Sequence, residues 1–459
     1  MVKNVERIIV LNNTPAKILA VGLCIAAAPC LAGVEDTSRH TFSIPSWLSQ
    51  DTATGSWSSY RERLKNRGVT ISSNYTTDIC GNPVGGISQT TAYAGLFYFA
   101  GAFDFEKLAS IKGLNFKISN YLFSGRNLSN SIGNLYWVQQ VYAKGNYYLG
   151  ELDLSQSLFE DRFVLEIGRL FAGDIFGVSP FSQYYLTSGI NGRLGAIPSN
   201  IFFPHYQIAA WGVRTTYQPN KNWHLITGLY NADSSVAEPS NHGADFSFAM
   251  DEGFLVVGQL TYKHGHDRND TILPGSGTLG GYYESGKFQD LSDPTRTRRG
   301  NYGLYLMADQ MIYKGEWPDY EGPPQLRSDA MLAERIRQPY QQQTSVPMDR
   351  PKGLSVWGAA VFAPQNDVNV QTYELVTGIA YQGIPPNRNR DVTALCFVLG
   401  RFSTELAGQS TEYVVELNHR FQLGPWCYIT PDIQYVINPN GQSDIQDALV
   451  PGVEISLNF

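Results

Sequence analysis

Between Glu151 and Arg214 the sequence gathers opposite charges and aromatic rings. Glu151, Asp153, Glu166, Arg169 and Arg214 flank a stretch, residues 171–206, that carries Asp174, Phe176, Tyr184, Tyr185, Asn191, Arg193 and Phe202. Such a set can replace part of a polar solute's water with fixed donors and acceptors and offer rings to its C–H surfaces. Signatures of bond chemistry are absent from the sequence: there is no G-x-S-x-G, no H-E-x-x-H and no phosphate-binding glycine loop. In "KHGHDRND" the spacing of His264 and His266, with Asp267 beside them, could ligate a metal, but a polar turn is the preferred reading. No metal and no cofactor is expected.

These residues need a scaffold, and the scaffold is written in period two. In "YVVELNHRFQL", Tyr413, Val415, Leu417, Phe421 and Leu423 share a side with His419, while Glu416, Asn418, Arg420 and Gln422 share the other. "YITPDIQYVI", "GELDLSQSLF" and "WGVRTTYQ" alternate in the same way, with the charges on one face. A β-sandwich would show this too. Tight connections at 159–162, 218–222 and 424–425 alternate with long ones at 125–146, 171–206 and 233–252, which describes a closed barrel with a short-turn end and a long-loop end. Walking on from Val69 gives about sixteen strands.

In "FVLEIGRLF" strict alternation puts Glu166 and Arg169 on opposite faces unless a bulge re-aims one. Arg169 is expected to face inward, because an arginine facing lipid at mid-depth costs roughly 2–4 kcal/mol. The chain ends on "GVEISLNF", an alternating strand finishing at Phe459. A barrel pairs its last strand with its first, since lipid tolerates no open edge, and a terminal aromatic there resembles an outer-membrane insertion signal.

Composition agrees with a barrel. Charged residues are only 16% and aromatics 13%, with 44 glycines, and mean hydropathy is slightly negative, as expected where apolar and polar faces cancel. After Lys3, Arg7 and Lys17 the apolar run "ILAVGLCIAAAPCLAG" reads as an export signal cut near Ala32. A lipoprotein signal at Cys30 is the rival. Removing residues 1–32 would take Lys3, Arg7, Lys17 and Glu6 and move the formal net charge from −7 to −9, which does not suggest nucleic acid as a partner. Residues 33–68 then form an N-terminal segment with a short amphipathic helix around Trp57, Tyr60 and Leu64, and residues 69–459 the barrel. Residues 315–352 are Pro- and Gln-rich and stand where the strand count asks for a short turn.

From Trp57 to Phe459 the chain resembles the carbohydrate-selective porin family typified by OprB. The likeness is carried in order by "SYRERLKNRGV", "ELDLSQSLFEDRFVLEIGRLFAGDIF", "LPGSGTLGGYYESGKFQDL", "RGNYGLYLMADQMIY", "PWCYITPDIQYVINPNG" and "DALVPGVEISLNF". The resemblance implies an all-β, sixteen-stranded antiparallel barrel in the outer membrane of a Gram-negative-type envelope, with long extracellular loops and short periplasmic turns. It also implies that the third long loop, 171–206, folds into the lumen and narrows it. Residues 315–352 depart from the family as an insert at a periplasmic turn, and so do Cys80, Cys396 and Cys427. Three cysteines in an oxidising compartment permit one bridge, intermolecular links, or isolated small hydrophobes.

The expected function is passive, selective diffusion of monosaccharides or small oligosaccharides. Solute contacts are assigned to Glu151, Asp153, Glu166, Arg169, Asp174, Tyr184, Tyr185, Arg193 and Arg214, and the lumen wall to Glu416, Asn418, Arg420 and Gln422. Expected partners are carbohydrates, outer-membrane lipid and, through Phe459, the barrel-insertion machinery, with the chain a monomer or homotrimer. The rivals are a general or ion-preferring diffusion pore and an envelope protein cross-linked through its cysteines.

Overall fold

The computed structural model describes residues 47–267, 270–315, 351–386 and 388–459. The export-signal reading of residues 1–32 and nearly all of the 315–352 insert lie outside the described residues. Alternating apolar and polar residues become sixteen antiparallel strands. The first eight are β1 (Val69–Gly81), β2 (Thr91–Asp104), β3 (Leu114–Gly125), β4 (Tyr147–Leu158), β5 (Phe163–Leu170), β6 (Ala210–Tyr217), β7 (Trp223–Asn231) and β8 (Phe254–His264). The second eight are β9 (Gly275–Gln289), β10 (Thr297–Lys314), β11 (Gly353–Phe362), β12 (Gln371–Gln382), β13 (Val392–Phe402), β14 (Thr411–Gly424), β15 (Cys427–Ile437) and β16 (Ala448–Asn458).

Each strand pairs with its sequence neighbours, and β16 pairs with β1, so the sheet closes on itself. The seam runs from Asn74 opposite Asn458 to Cys80 opposite Gly452. Beyond it the Phe459 N–H donates to Ser73 O at 3.0 Å, and the Phe459 ring lies 6.2 Å from Phe97. The strand that runs to the carboxylate is therefore an interior strand of a closed sheet. No helix among the described residues is long and apolar enough to cross a membrane; the strands form the wall.

The two faces separate as the periodicity demands. Leu154, Ile167, Val213, Leu304 and Leu417 stand exposed on the outside, while Asp153, Glu166, Arg214 and Glu416 are buried inside. In β14 Glu416, Asn418 and Arg420 are buried, Gln422 is half-buried, and Leu417 and Phe421 between them are exposed. At the short-turn end a strap crosses beneath β15, β16 and β1. Trp47 packs on Trp426 with centroids 4.3 Å apart, the Ala53 N–H donates to Asn458 O, and helix α1 (Tyr60–Asn66) leads into β1.

Cys80, Cys396 and Cys427 are buried free thiols, so the internal bridge permitted by the sequence does not form among the described residues. The two histidines of "KHGHDRND" serve a turn: His264 Nε2 meets Gln310 Oε1 at 3.1 Å, and His266 Nε2 meets Gly275 O at 3.3 Å. Asp267 pairs with Lys221.

Leu306 lies near the centre of β10, 58% exposed on the apolar outer band. Leu306→Arg places a charge there and is expected to lower stability by roughly 2–4 kcal/mol. Urea unfolding of the protein folded in lipid vesicles measures this; an unchanged midpoint would remove the outer band from the lipid.

Candidate functional site

Two of the long loops run inside the barrel, and wall side chains hold them there by their backbones. The first, residues 126–146, presents the N–H groups of Leu135 and Tyr136 to the two carboxylate oxygens of Glu412 on β14, at 2.8 and 2.9 Å. Gln434 of β15 donates to Val138 O at 3.0 Å. The second, residues 171–209, joins β5 to β6 and follows the inner wall. Glu416 accepts from Leu186 and Thr187 N–H at 2.8 and 2.9 Å, and Glu374 of β12 accepts from Gly195 and Ala196 at 3.1 and 3.0 Å. Glu284 of β9 accepts from Phe202 at 2.8 Å. A carboxylate accepting backbone N–H groups makes charge-assisted bonds, about twice as strong as neutral ones.

The loops are also fastened to each other. The Ser188 N–H donates to Trp137 O at 2.7 Å, and the Gln140 N–H to Leu186 O at 3.0 Å. Tyr136 drops into a slot floored by three glycines: a Cβ at Gly189, Gly195 or Gly400 would come within 2.9, 2.7 or 2.2 Å of the Tyr136 side chain. Only glycine permits so close an approach.

Where the second loop leaves the wall, Glu151, Glu166 and Arg214 join Lys117 in a lattice of paired charges. Lys117 Nζ lies 2.5 Å from Glu151 Oε2, and Glu151 Oε1 accepts from the Phe171 N–H at 3.3 Å. Arg214 donates to Glu166 through Nε at 2.6 Å and to Phe171 O through Nη1 at 2.7 Å. Both backbone groups of Phe171 are thus gripped by wall residues. Asp153 sits opposite Lys117 across β3 and β4.

Two charged side chains stand apart from this lattice. Asp174 and Arg193 join no hydrogen bond or ion pair among the described residues, and the Nε of Arg193 is buried without a partner. Arg193 is nonetheless fixed at its backbone, bridged to Val178. Its stem and His205 both lie over Gly173, where a Cβ would come within 3.1 Å of Arg193 Cδ and 2.8 Å of His205 Cβ. His205 Nδ1 is also buried without a partner. Burial, helped by Arg193, holds His205 well below the ordinary imidazole value, so it is neutral near pH 7. Burial and the nearby Glu151 raise the Asp174 carboxyl to about 7, with Lys117, Arg214 and Arg193 opposing.

A closed sixteen-stranded barrel with two loops folded inside it, the second carrying Asp174 and Arg193 outside any hydrogen bond or ion pair among the described residues, has the form of a solute channel. Residues 88–459 match the family model described as "Carbohydrate-selective porin, OprB family". The chain belongs to the OprB family of carbohydrate-selective porins. It is 25% identical over 434 residues to Porin B of Pseudomonas aeruginosa, covering 88% of this chain and 90% of that one. It is 22% identical over 431 residues to the putative porin QuiX of Acinetobacter baylyi, covering 88% and 92%. The high-pH structure of Pseudomonas putida OprB superposes with a TM-score of 0.77 at 20% identity, over 92% of this chain and all of that one.

An OprB-family porin is a carbohydrate channel of the Gram-negative outer membrane, so the long loops are extracellular and the short turns periplasmic. Within this porin the structure corrects three residue assignments. Arg169 keeps the outward parity that alternation requires, in register with Leu152 and Trp211. It avoids lipid because the extracellular loop 232–253 covers it: Nη2 donates to Ala209 O at 2.8 Å, Nη1 donates to Gly243 O, and the guanidinium lies 5.0 Å from the Phe246 ring centre. Tyr184 and Tyr185 are buried between loop and wall and line no open surface. The Tyr185 hydroxyl meets Ile379 O and Leu395 O at 3.3 and 3.2 Å and accepts from Trp357 Nε1 at 3.2 Å.

Asn418 and Arg420 hold the same loop, donating to Tyr184 O at 2.9 Å and Gln183 O at 2.6 Å. Gln422 Nε2 turns back to Gly424 O. Lys117, Glu374, Glu412 and His205 escaped the sequence reading. For the first three the period-two parity was a sufficient signal of an inward side chain; nothing in "FFPHYQ" marks His205.

Two outcomes follow. Glu416→Ala removes both bonds to Leu186 and Thr187, about 1.5–3 kcal/mol apiece. The folded variant should become cleavable within residues 171–209 by added protease, and its single-channel current noisier, while wild type resists. Ionisation of Asp174 as pH rises through about 7 adds negative charge beside Arg193. Reversal potentials in a salt gradient should therefore move toward cation preference over that range, and Asp174→Asn should abolish the step.

Proposed function

We propose that this porin passes monosaccharides or small oligosaccharides passively, and that selection occurs where Asp174 and Arg193 face the lumen beside the Lys117–Glu151 and Glu166–Arg214 lattice. The observation that supports this most is that Arg193 is anchored at its backbone and that it and Asp174 join no hydrogen bond or ion pair among the described residues. A hydroxylated solute shedding water there meets a rigid donor and, close by, an acceptor. Each contact is individually weak. A channel needs binding strong enough to admit the solute and weak enough to release it, which several weak contacts supply better than one tight site.

The neighbouring Lys117, Glu151, Glu166 and Arg214 are already paired with one another or with the Phe171 backbone, so they set the field rather than touch the solute. The work is noncovalent. Phe459, at the end of the closing strand, is the element the insertion machinery would read, and the chain acts as a monomer or homotrimer.

Liposomes holding the full, refolded protein test the reading. Glucose should permeate faster than amino acids of similar size, and Arg193→Ala should reduce that advantage by roughly tenfold or more, as losing one charge-assisted bond of about 1.5–3 kcal/mol implies. Equal rates for sugars and amino acids in wild type would reduce the protein to a general diffusion pore.

A further inference from the structure

Aromatic rings on the two inward loops are almost all used as packing. Tyr136, Phe176, Phe181, Tyr185 and Phe203 are each at most 5% exposed. Trp137 is the most open of them, with 39% of its surface exposed and an indole N–H that has no hydrogen-bond partner among the described residues. A tryptophan in a packed interior normally hides its ring and pairs that N–H.

The exposure does not come from a loose backbone. Trp137 O accepts from Ser188 N–H, the preceding residue is tied to Glu412, and the following one accepts from Gln434. Tyr136 and Val138 on either side are both buried, while the ring between them is open to solvent. Tyr142 supports it edge-on, with centroids 5.8 Å apart at 65°. Glu412 is the second residue of β14, so this ring stands toward the long-loop end. Gln140 links it onward, accepting at its carbonyl from the Tyr206 hydroxyl, and Tyr206 adjoins His205 at the Arg193 site.

We propose that Trp137, backed by Tyr142, is a stacking platform for the apolar C–H face of a pyranose ring, receiving the sugar on the extracellular side before it reaches Arg193 and Asp174. The proposal rests on the carbohydrate reading above and adds a ligand shape to it. A six-membered ring with equatorial hydroxyls has a flat C–H face that can lie on indole. An open-chain polyol of the same carbon count has the hydroxyls but no such face. Hydrogen bonds at Arg193 alone would not tell the two apart; an aromatic platform does. Because the ring is held by its backbone before any solute arrives, little ordering entropy is lost when the sugar lands.

The test compares D-glucose with D-sorbitol in swelling of liposomes that hold full-length wild type, Trp137→Ala or Trp137→Phe. Wild type should admit glucose faster than sorbitol. Trp137→Ala should slow glucose roughly threefold to tenfold relative to sorbitol and to potassium chloride conductance, and Trp137→Phe, which keeps a ring, should retain most of the preference. An unchanged glucose-to-sorbitol ratio in Trp137→Ala overturns the platform while leaving the carbohydrate reading intact. So does a parallel fall of both solutes and of ion conductance, which would make Trp137 a support for the loop. The carbohydrate reading fails separately, if wild type admits amino acids as readily as glucose.

Discussion

A backbone N–H or C=O left bare away from water costs several kcal/mol in hydrocarbon, and this rule governs the molecule twice. On the outside it forces the sheet to close, which is why β16 pairs with β1 and why the last residues lie within the ladder. Inside, it governs the loops. A chain segment packed into a barrel carries backbone groups that neither ladder nor solvent reaches, and here wall glutamates supply the missing acceptors.

Glu374, Glu412 and Glu416 each take two neighbouring N–H groups, one on each carboxylate oxygen. A buried carboxylate without a partner would be costly, and a buried N–H without an acceptor would be costly too; together they satisfy each other. The same logic explains the lattice at Phe171, where Glu151 takes the N–H and Arg214 the carbonyl. Most of the charge inside this porin is therefore structural. What remains for a solute is small, and its position is set by loops held at many points along their backbones.

Arg169 shows how the outer wall meets the same constraint. The register keeps it outward, yet its guanidinium is buried under loop 232–253, donating to two carbonyls and lying near the face of Phe246. The polar head is enclosed by protein rather than lipid, so its placement on that face is compatible with the membrane. One extracellular loop thus turns outward to cover the wall while two turn inward to fill it.

How much of this could be read from the chain depends on the range of the interaction. Period-two alternation is local, so the strands, their inward and outward sets, the tight turns and the closing role of "GVEISLNF" were all legible, as was the family through its ordered blocks. Asp174 and Arg193 were found among the candidates because they lie in one loop. That their charges are left unpaired could not be read, since it depends on which wall residues reach that loop. Glu416 is separated from Leu186 by 230 residues and Glu374 from Gly195 by 179, and no spacing rule connects them. Tyr184 and Tyr185 looked like solute contacts by type and became packing because the wall lies against them. Arg169 was expected inward from its charge, but its parity held and a distant loop came to cover it. Alternation decides which face a strand residue takes; what lies against that face is decided only when the loops have folded onto it.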